Sequence, residues 1–167
     1  MTLSSKVTQV DGHHPRFIPL AGSINFRDFG GYRTVDGALV KWRSLFRCGS
    51  LAMLSDEAKN EFGQLNISVI CDLRREEEAA NGATPTHPSF NCRQHIPIGQ
   101  ASSMMLRESL LDPSQTASDR VRFMTDITRE LASNHNEEYR QLFEHLLSAS
   151  GGFLLHCSAG KDRTGFG

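Results

Sequence analysis

The sequence lacks several features that would place it in common classes of protein. Its 167 residues carry a net charge of −1, so there is no basic excess of the kind that an obligatory nucleic-acid or anionic-membrane partner favours. No stretch approaches the roughly 20 apolar residues of a membrane helix. Met1 to Phe17 is polar and lacks the apolar region of a secretory signal peptide. These absences predict no nucleic-acid partner and no transmembrane segment.

Cysteine is scarce and scattered. The four cysteines stand singly, whereas structural zinc sites use closely spaced pairs such as Cys-x2-Cys. No metal or other cofactor is therefore expected. Dispersed free thiols are typical of a reducing compartment, which favours a cytoplasmic location and leaves open export that needs no signal peptide. The length fits one domain, 1–167.

The most informative stretch lies near the end of the chain. An apolar run, Phe153–His156, predicts a buried strand that stops at Cys157, and Arg163 follows six residues later. The backbone N–H groups of such a loop can converge on an anion, and an arginine can hold two phosphate oxygens at once. The spacing predicts Cys157 as a thiolate nucleophile that attacks phosphorus. The predicted phosphate ligands are Ser158, Ala159, Gly160, Lys161, Asp162 and Arg163.

Three other kinds of loop could place a cysteine at the end of a strand. A nucleotide-binding loop would need glycine where Leu155 stands and serine or threonine where Asp162 stands, so it is excluded. A sulfur-transfer loop would not require the returning arginine. A buried cysteine at a strand end is often only a small core residue, but that reading does not account for Arg163.

The string from His156 to Gly165, His-Cys-Ser-Ala-Gly-Lys-Asp-Arg-Thr-Gly, resembles the signature loop of cysteine-dependent phosphatases. Its Gly-Lys-Asp-Arg-Thr-Gly form is similar to that of the atypical tyrosine/serine phosphatase family, which includes bacterial tyrosine and phosphoinositide phosphatases. Two distant stretches resemble elements of the same family: 25–32, Asn-Phe-Arg-Asp-Phe-Gly-Gly-Tyr, and 72–74, Asp-Leu-Arg. In the first, Arg27 and Asp28 are expected to pair and brace the sheet.

The resemblance implies hydrolysis through a cysteinyl-phosphate, without a metal. It points to Asp162 as the general acid, with Asp72 as a nearby second carboxylate. For Asp162 the alternative is a capping role for the helix expected to start there. His156 is expected to orient the loop, and Thr164 to donate a hydrogen bond to the sulfur.

The expected substrate is a phosphorylated protein, with phosphotyrosine and relaxed, dual specificity as the leading interpretation. Lys161 adds a positive charge beside the phosphate, so a phosphoinositide is the alternative. A third possibility is a phosphate-binding module with little turnover, because the chain stops at Gly167 before the helix after the loop has made one turn. We therefore expect the domain to be incomplete at its C-terminus. Nothing in the sequence predicts the oligomeric state.

Strand and helix signals alternate along the chain, which predicts an α/β fold with a mostly parallel central sheet flanked by helices, as in cysteine-dependent phosphatases. Residues 1–20 are expected to be irregular, and 102–135 to form a helical, lid-like insertion that resembles one in the family. Cys157 and Asp72 each follow a predicted strand, so both are expected on one rim of the sheet. The other predicted elements are a hairpin with a two-residue turn at Asp36-Gly37, strands at 44–47, 67–71 and within 93–98, and helices at 55–64, 76–80, 104–111, 121–131 and 139–147.

Overall fold

The computed structural model describes residues 16–99 and 112–167 and shows an α/β fold. A five-stranded sheet runs in the order β1-β2-β5-β3-β4. The first strand is antiparallel to its neighbour and all other pairs are parallel, which confirms the predicted sheet. The strands are β1 Arg27–Asp28, β2 Leu45–Cys48, β3 Ile67–Asp72, β4 Arg93–His95 and β5 Gly152–His156.

The helices predicted at 55–64, 76–80, 121–131 and 139–147 are all present, with bounds that differ by a few residues. The predicted cap at Ser55 is confirmed, because its side chain accepts the N–H of Ala58. The helix expected at 104–111 lies outside the described residues. Within the described ranges, no helix combines the length and apolarity needed to cross a membrane. The helices are α1 Asp56–Gly63, α2 Glu76–Asn81, α3 Ala117–Asn134, α4 Asn136–Ser148 and α5 Arg163–Phe166, with a 3-10 turn at Pro88–Phe90.

Apolar side chains cover both faces of the sheet, and β5 is buried along its whole length. Removal of this apolar surface from water is what holds the layers together. The described part of the predicted insertion contributes to the packing: Ile127 and Leu131 of α3 are buried beside Leu142 of α4 and Leu155 of β5. The C-terminal half of α3, which carries these two side chains, is therefore part of the hydrophobic core.

The N-terminal edge differs in detail from the sequence prediction. Phe17, expected in an irregular segment, forms an antiparallel bridge with Arg27. The expected ion pair between Arg27 and Asp28 does not form within the described residues. Instead, the Asp28 carboxylate accepts the backbone N–H groups of Gly30 and Arg43. These bonds pin the turn that follows β1.

The predicted hairpin is present, but its turn is longer than expected. The N–H of Thr34 donates to the carbonyl of Ala38, so the loop consists of Val35, Asp36 and Gly37. Gly37 has φ +87°. A left-handed glycine at the end of the loop is characteristic of three-residue hairpin loops, whereas the two-residue turn would place two residues at positive φ.

Candidate active site

Strand register brings the predicted site together at one rim. His156, the last residue of β5, is paired with Cys48 of β2 on one side and with Asp72 of β3 on the other. Cys157 is the next residue and is buried. Because these three strands are parallel, their carboxyl ends meet at the same edge, where α/β sheets bind ligands. The predicted common rim of Cys157 and Asp72 is confirmed.

The loop after Cys157 rests directly on the end of β2. The Ser50 N–H donates to the Ser158 carbonyl at 2.9 Å. Gly160 has φ +65°, and a Cβ there would lie 2.4 Å from the Cys48 carbonyl carbon. Only glycine satisfies both the left-handed backbone and the close approach. The loop is therefore held by contact with a neighbouring strand.

Two side chains reach the loop from distant parts of the chain. Arg47 of β2 donates through Nη2 to the carbonyls of Gly160 at 2.7 Å and Lys161 at 3.2 Å. Asn25, at φ +58°, donates through Nδ2 to the same Gly160 carbonyl at 3.1 Å. The guanidinium of Arg47 also lies 5.5 Å from the ring centroid of Phe29. Burial lowers the pKa of Arg47, and the Cys157 thiol is one of the groups that oppose this shift.

Arg163 is held by Glu78 of α2. Its Nη1 and Nη2 donate to the two carboxylate oxygens at 2.7 and 2.8 Å. Ser158 Oγ donates to the same carboxylate at 2.6 Å, and the Arg75 backbone N–H adds a bond at 2.9 Å. Burial alone would raise the pKa of Glu78, but the hydrogen bonds from Arg163 and Ser158 hold it well below its usual range. Glu78 is therefore an anion at every physiological pH.

This arrangement leaves a set of donors unused. Among the described residues, the backbone N–H groups from Ser158 to Arg163 make no hydrogen bond, and Nε of Arg163 makes none either. A dianionic phosphoryl group can accept many such bonds. The loop therefore has the donors that a phosphate ester needs, next to a thiol.

Asp72 is buried, and both of its carboxylate oxygens accept hydrogen bonds from arginine side chains. Its carboxylate accepts Nε and Nη2 of Arg74 at 2.9 and 2.7 Å and Nη1 of Arg93 at 2.9 Å. Burial would raise the pKa of Asp72, but the bonds from Arg74 and the nearby His156 lower it to about 2. Such a carboxylate carries no proton at neutral pH and has no exposed surface.

His156 lies beside that network. Its Nε2 is 3.5 Å from Asp72 Oδ1, and burial lowers its pKa to about 4 despite the neighbouring carboxylate. The ring is therefore neutral. A packed neutral ring directly before Cys157 fits the expected orienting role.

Asp162 and Thr164 lie where the sequence placed them but make different contacts. The Asp162 side chain is about one-third exposed and forms an ion pair with Lys161. It does not cap α5; the Asp162 carbonyl instead accepts the N–H groups of Gly165 and Phe166. Thr164 Oγ1 is buried and has no hydrogen-bond partner among the described residues. The predicted bond from Thr164 to the sulfur is thus not formed.

Three residues of the site escaped the sequence analysis: Asn25, Arg47 and Glu78. Asn25 belongs to the stretch 25–32, whose resemblance to the family implies no role for this side chain. Glu78 stands four residues after Arg74 in a run of three glutamates, and a helix starting after β3 would turn one of them toward the rim. In the described ranges, no group of three or more acidic, histidine or cysteine residues is arranged to hold a metal ion.

Comparison with known proteins agrees with this geometry. The chain matches the tyrosine phosphatase family over residues 18–167. It is 31% identical over 148 residues to a protein of Cupriavidus necator provisionally named a tyrosine-protein phosphatase, covering 85% of this chain and 51% of the relative. It is 30% identical over 171 residues to the triple specificity protein phosphatase PtpB of Mycobacterium tuberculosis, covering 88% of this chain and 59% of the relative. The chain spans about half to three fifths of the length of these curated relatives. Because the family match includes the fold, the rim and the whole Cys-x5-Arg loop, the chain belongs to the tyrosine phosphatase family.

Proposed function

We propose that the chain hydrolyses phosphate monoesters through a cysteinyl-phosphate. The observation that carries the proposal is the pairing of Arg163 with Glu78, which leaves Nε and one Nη2 hydrogen of the arginine for a ligand at the loop. Cys157 attacks phosphorus and forms an S–P bond while the bond to the leaving oxygen breaks. The loop N–H groups and Arg163 stabilise the charge on the equatorial oxygens. Water then cleaves the S–P bond and regenerates the thiolate.

Asp162 is the residue we assign to proton transfer. It protonates the leaving oxygen and then accepts a proton from the attacking water. Its partial exposure at the loop supports this assignment, whereas Asp72 is buried and engaged by Arg74 and Arg93. We assign Asp72 a positioning role instead, because its carboxylate lies beside His156.

Phosphotyrosine with relaxed specificity is the proposed substrate class. A phosphoinositide is the second candidate, supported by the exposed side chain of Lys161 within the loop. The relative PtpB is named a triple specificity protein phosphatase, which is consistent with a site that accepts more than one kind of ester. We further propose that this chemistry takes place in the cytoplasm.

The test begins with p-nitrophenyl phosphate in the presence of a chelator. Hydrolysis that Cys157→Ser abolishes supports the proposal, and a matched Cys92→Ser variant controls for loss of a thiol. Phosphate binding without any hydrolysis would identify a binding module instead. Comparison of a phosphotyrosine peptide with a phosphoinositide then separates the two substrate classes, and Lys161→Ala is expected to weaken phosphoinositide hydrolysis more.

A further inference from the structure

Arg47 is a second arginine at the loop, outside the Cys-x5-Arg spacing. It lies on β2, where Arg47 is paired with Leu155 of β5, and its guanidinium is packed between Phe29 and the loop. Its Nη2 donates to the carbonyls of Gly160 and Lys161. Asn25 reaches the Gly160 carbonyl as well. Two carbonyls of the phosphate loop are thus bonded by side chains from the first 50 residues.

The direction of these bonds has a geometric consequence. In a trans peptide unit, the carbonyl of one residue and the N–H of the next point in opposite directions. Bonds to the Gly160 and Lys161 carbonyls therefore turn the N–H groups of Lys161 and Asp162 away from Arg47. Those N–H groups make no hydrogen bond within the described residues. They are donors that the loop presents to an anion.

Resting on the proposed function, we infer that Arg47 and Asn25 are positioning residues that hold the phosphate loop from behind, with Arg47 adding a positive charge directly against the loop that starts at Cys157. Their bonds fix the two peptide units before a ligand arrives. Binding then requires no rearrangement of the donors, which is the condition under which such donors stabilise a transition state most.

The charge of Arg47 acts together with other groups around Cys157. Electrostatic contact between Arg47 and Cys157 opposes the lowering of the arginine pKa by burial. Arg163 interacts with the same thiol, and Glu78 and Cys157 raise the pKa of Arg163 against the effect of burial. Other titratable or charged groups lie on the adjoining elements and on the loop itself: Arg27, Tyr32, Cys48, Cys71, Asp72, Arg74, Glu78, His156, Lys161 and Asp162.

The structure supplies matched controls for both residues. Asn25 and Asn66 both have positive φ, +58° and +53°, so replacement by glycine removes an amide without straining the backbone. Only the Asn25 amide reaches the phosphate loop. For Arg47, the control is Arg33→Met, which removes an equal charge from an exposed arginine that donates to the carbonyl of Gly37 in the hairpin.

The experiment measures how well inorganic phosphate protects Cys157 from iodoacetamide, as a function of pH, with the modified peptide quantified by mass spectrometry. Arg47→Met is expected to weaken phosphate protection about 10-fold or more, as loss of charged hydrogen bonds implies, and to raise the midpoint pH of alkylation. Arg47→Lys is expected to restore the midpoint, because the charge remains, but not the protection, because an ammonium lacks the guanidinium fork. Asn25→Gly is expected to weaken protection about 3- to 10-fold with the midpoint unchanged.

This readout requires no turnover, so it is independent of whether the chain hydrolyses an ester. Thermal melts identify variants that fail to fold. If Arg47→Met does not fold, phosphate protection of Cys157 in Arg47→Lys and Asn25→Gly still tests the inference, because both variants are expected to weaken it. Phosphate protection in Arg47→Lys and Asn25→Gly equal to that in Arg33→Met and Asn66→Gly would overturn the inference.

Discussion

Replacement of Glu78 by glutamine tests how far the loop arginine depends on its anchor. The carboxylate accepts two charge-assisted bonds from Arg163 and one from Ser158. Glutamine keeps the size and one carbonyl acceptor, but its NH2 group faces a guanidinium donor. A hydrogen bond to a charged group contributes about 1.5–3 kcal/mol, and each 1.36 kcal/mol is tenfold in rate. Loss of one such bond in the transition state lowers kcat/KM by about 10- to 150-fold.

The assay is hydrolysis of p-nitrophenyl phosphate together with inhibition by orthovanadate. Both kcat/KM and vanadate affinity are expected to fall in Glu78→Gln, because both depend on the orientation of Arg163. The matched control is Glu77→Gln, which removes an equal charge from the same helical turn. The Glu77 carboxylate is mostly exposed and lies 3.8 Å from Arg75, so its loss should be nearly silent. Equal kcat/KM and equal vanadate affinity in Glu78→Gln and Glu77→Gln would show that the orientation of Arg163 does not depend on Glu78.

Three further predictions concern proton transfer, pH and thiol reactivity. Asp162→Asn should slow hydrolysis of alkyl phosphates far more than that of p-nitrophenyl phosphate, whose leaving group departs unprotonated; the same dependence in Asp72→Asn instead would reverse the assignment. His156, with a folded pKa of about 4 against 6.5 for its ordinary value, binds its proton more readily in the unfolded chain. Stability should therefore decline as the pH falls from 6.5 to 4, by up to about 1.4 kcal/mol per pH unit from this group, and urea midpoints for His156→Gln should show a flatter profile. Burial raises the pKa of Cys71 to about 12, so Cys71→Ser should leave the rate of iodoacetamide inactivation at pH 7 unchanged, and a slower rate would assign that thiol a part in the site.

The loop from Cys157 to Arg163 could be predicted because the residues that identify it are neighbours in the sequence. The apolar run, Cys157 and Arg163 lie within one short stretch of sequence. The capping signal at Ser55 is likewise contained in the few residues around it. The supporting residues are different: Glu78 lies 85 residues from Arg163, and Arg47 lies 113 residues from Gly160. Their roles follow from the sheet order, which places β2 and β3 on either side of β5. Nothing in the alternating pattern of β2 marks one arginine as a support for the loop.

Asp72 shows a second limit of local reasoning. Its position at the end of a strand is predicted correctly, and the family resemblance makes it a second carboxylate near Asp162. Arg74 and Arg93 engage the carboxylate from two elements, and the lowered pKa results from those contacts. Which of two rim carboxylates is accessible depends on side-chain burial, and burial is a property of the assembled layers.

The position of β5 has a consequence for how the protein folds. This strand is the last of the five in the chain, yet it lies at the centre of the sheet, between β2 and β3. Until it is synthesised and inserted, the two halves of the sheet have no shared partner, and each presents an open strand edge of the kind that recruits other chains. Pairings over such long sequence separations slow folding and prolong the lifetime of aggregation-prone intermediates. The strand that leads into Cys157 is thus also the one that joins the two halves of the sheet.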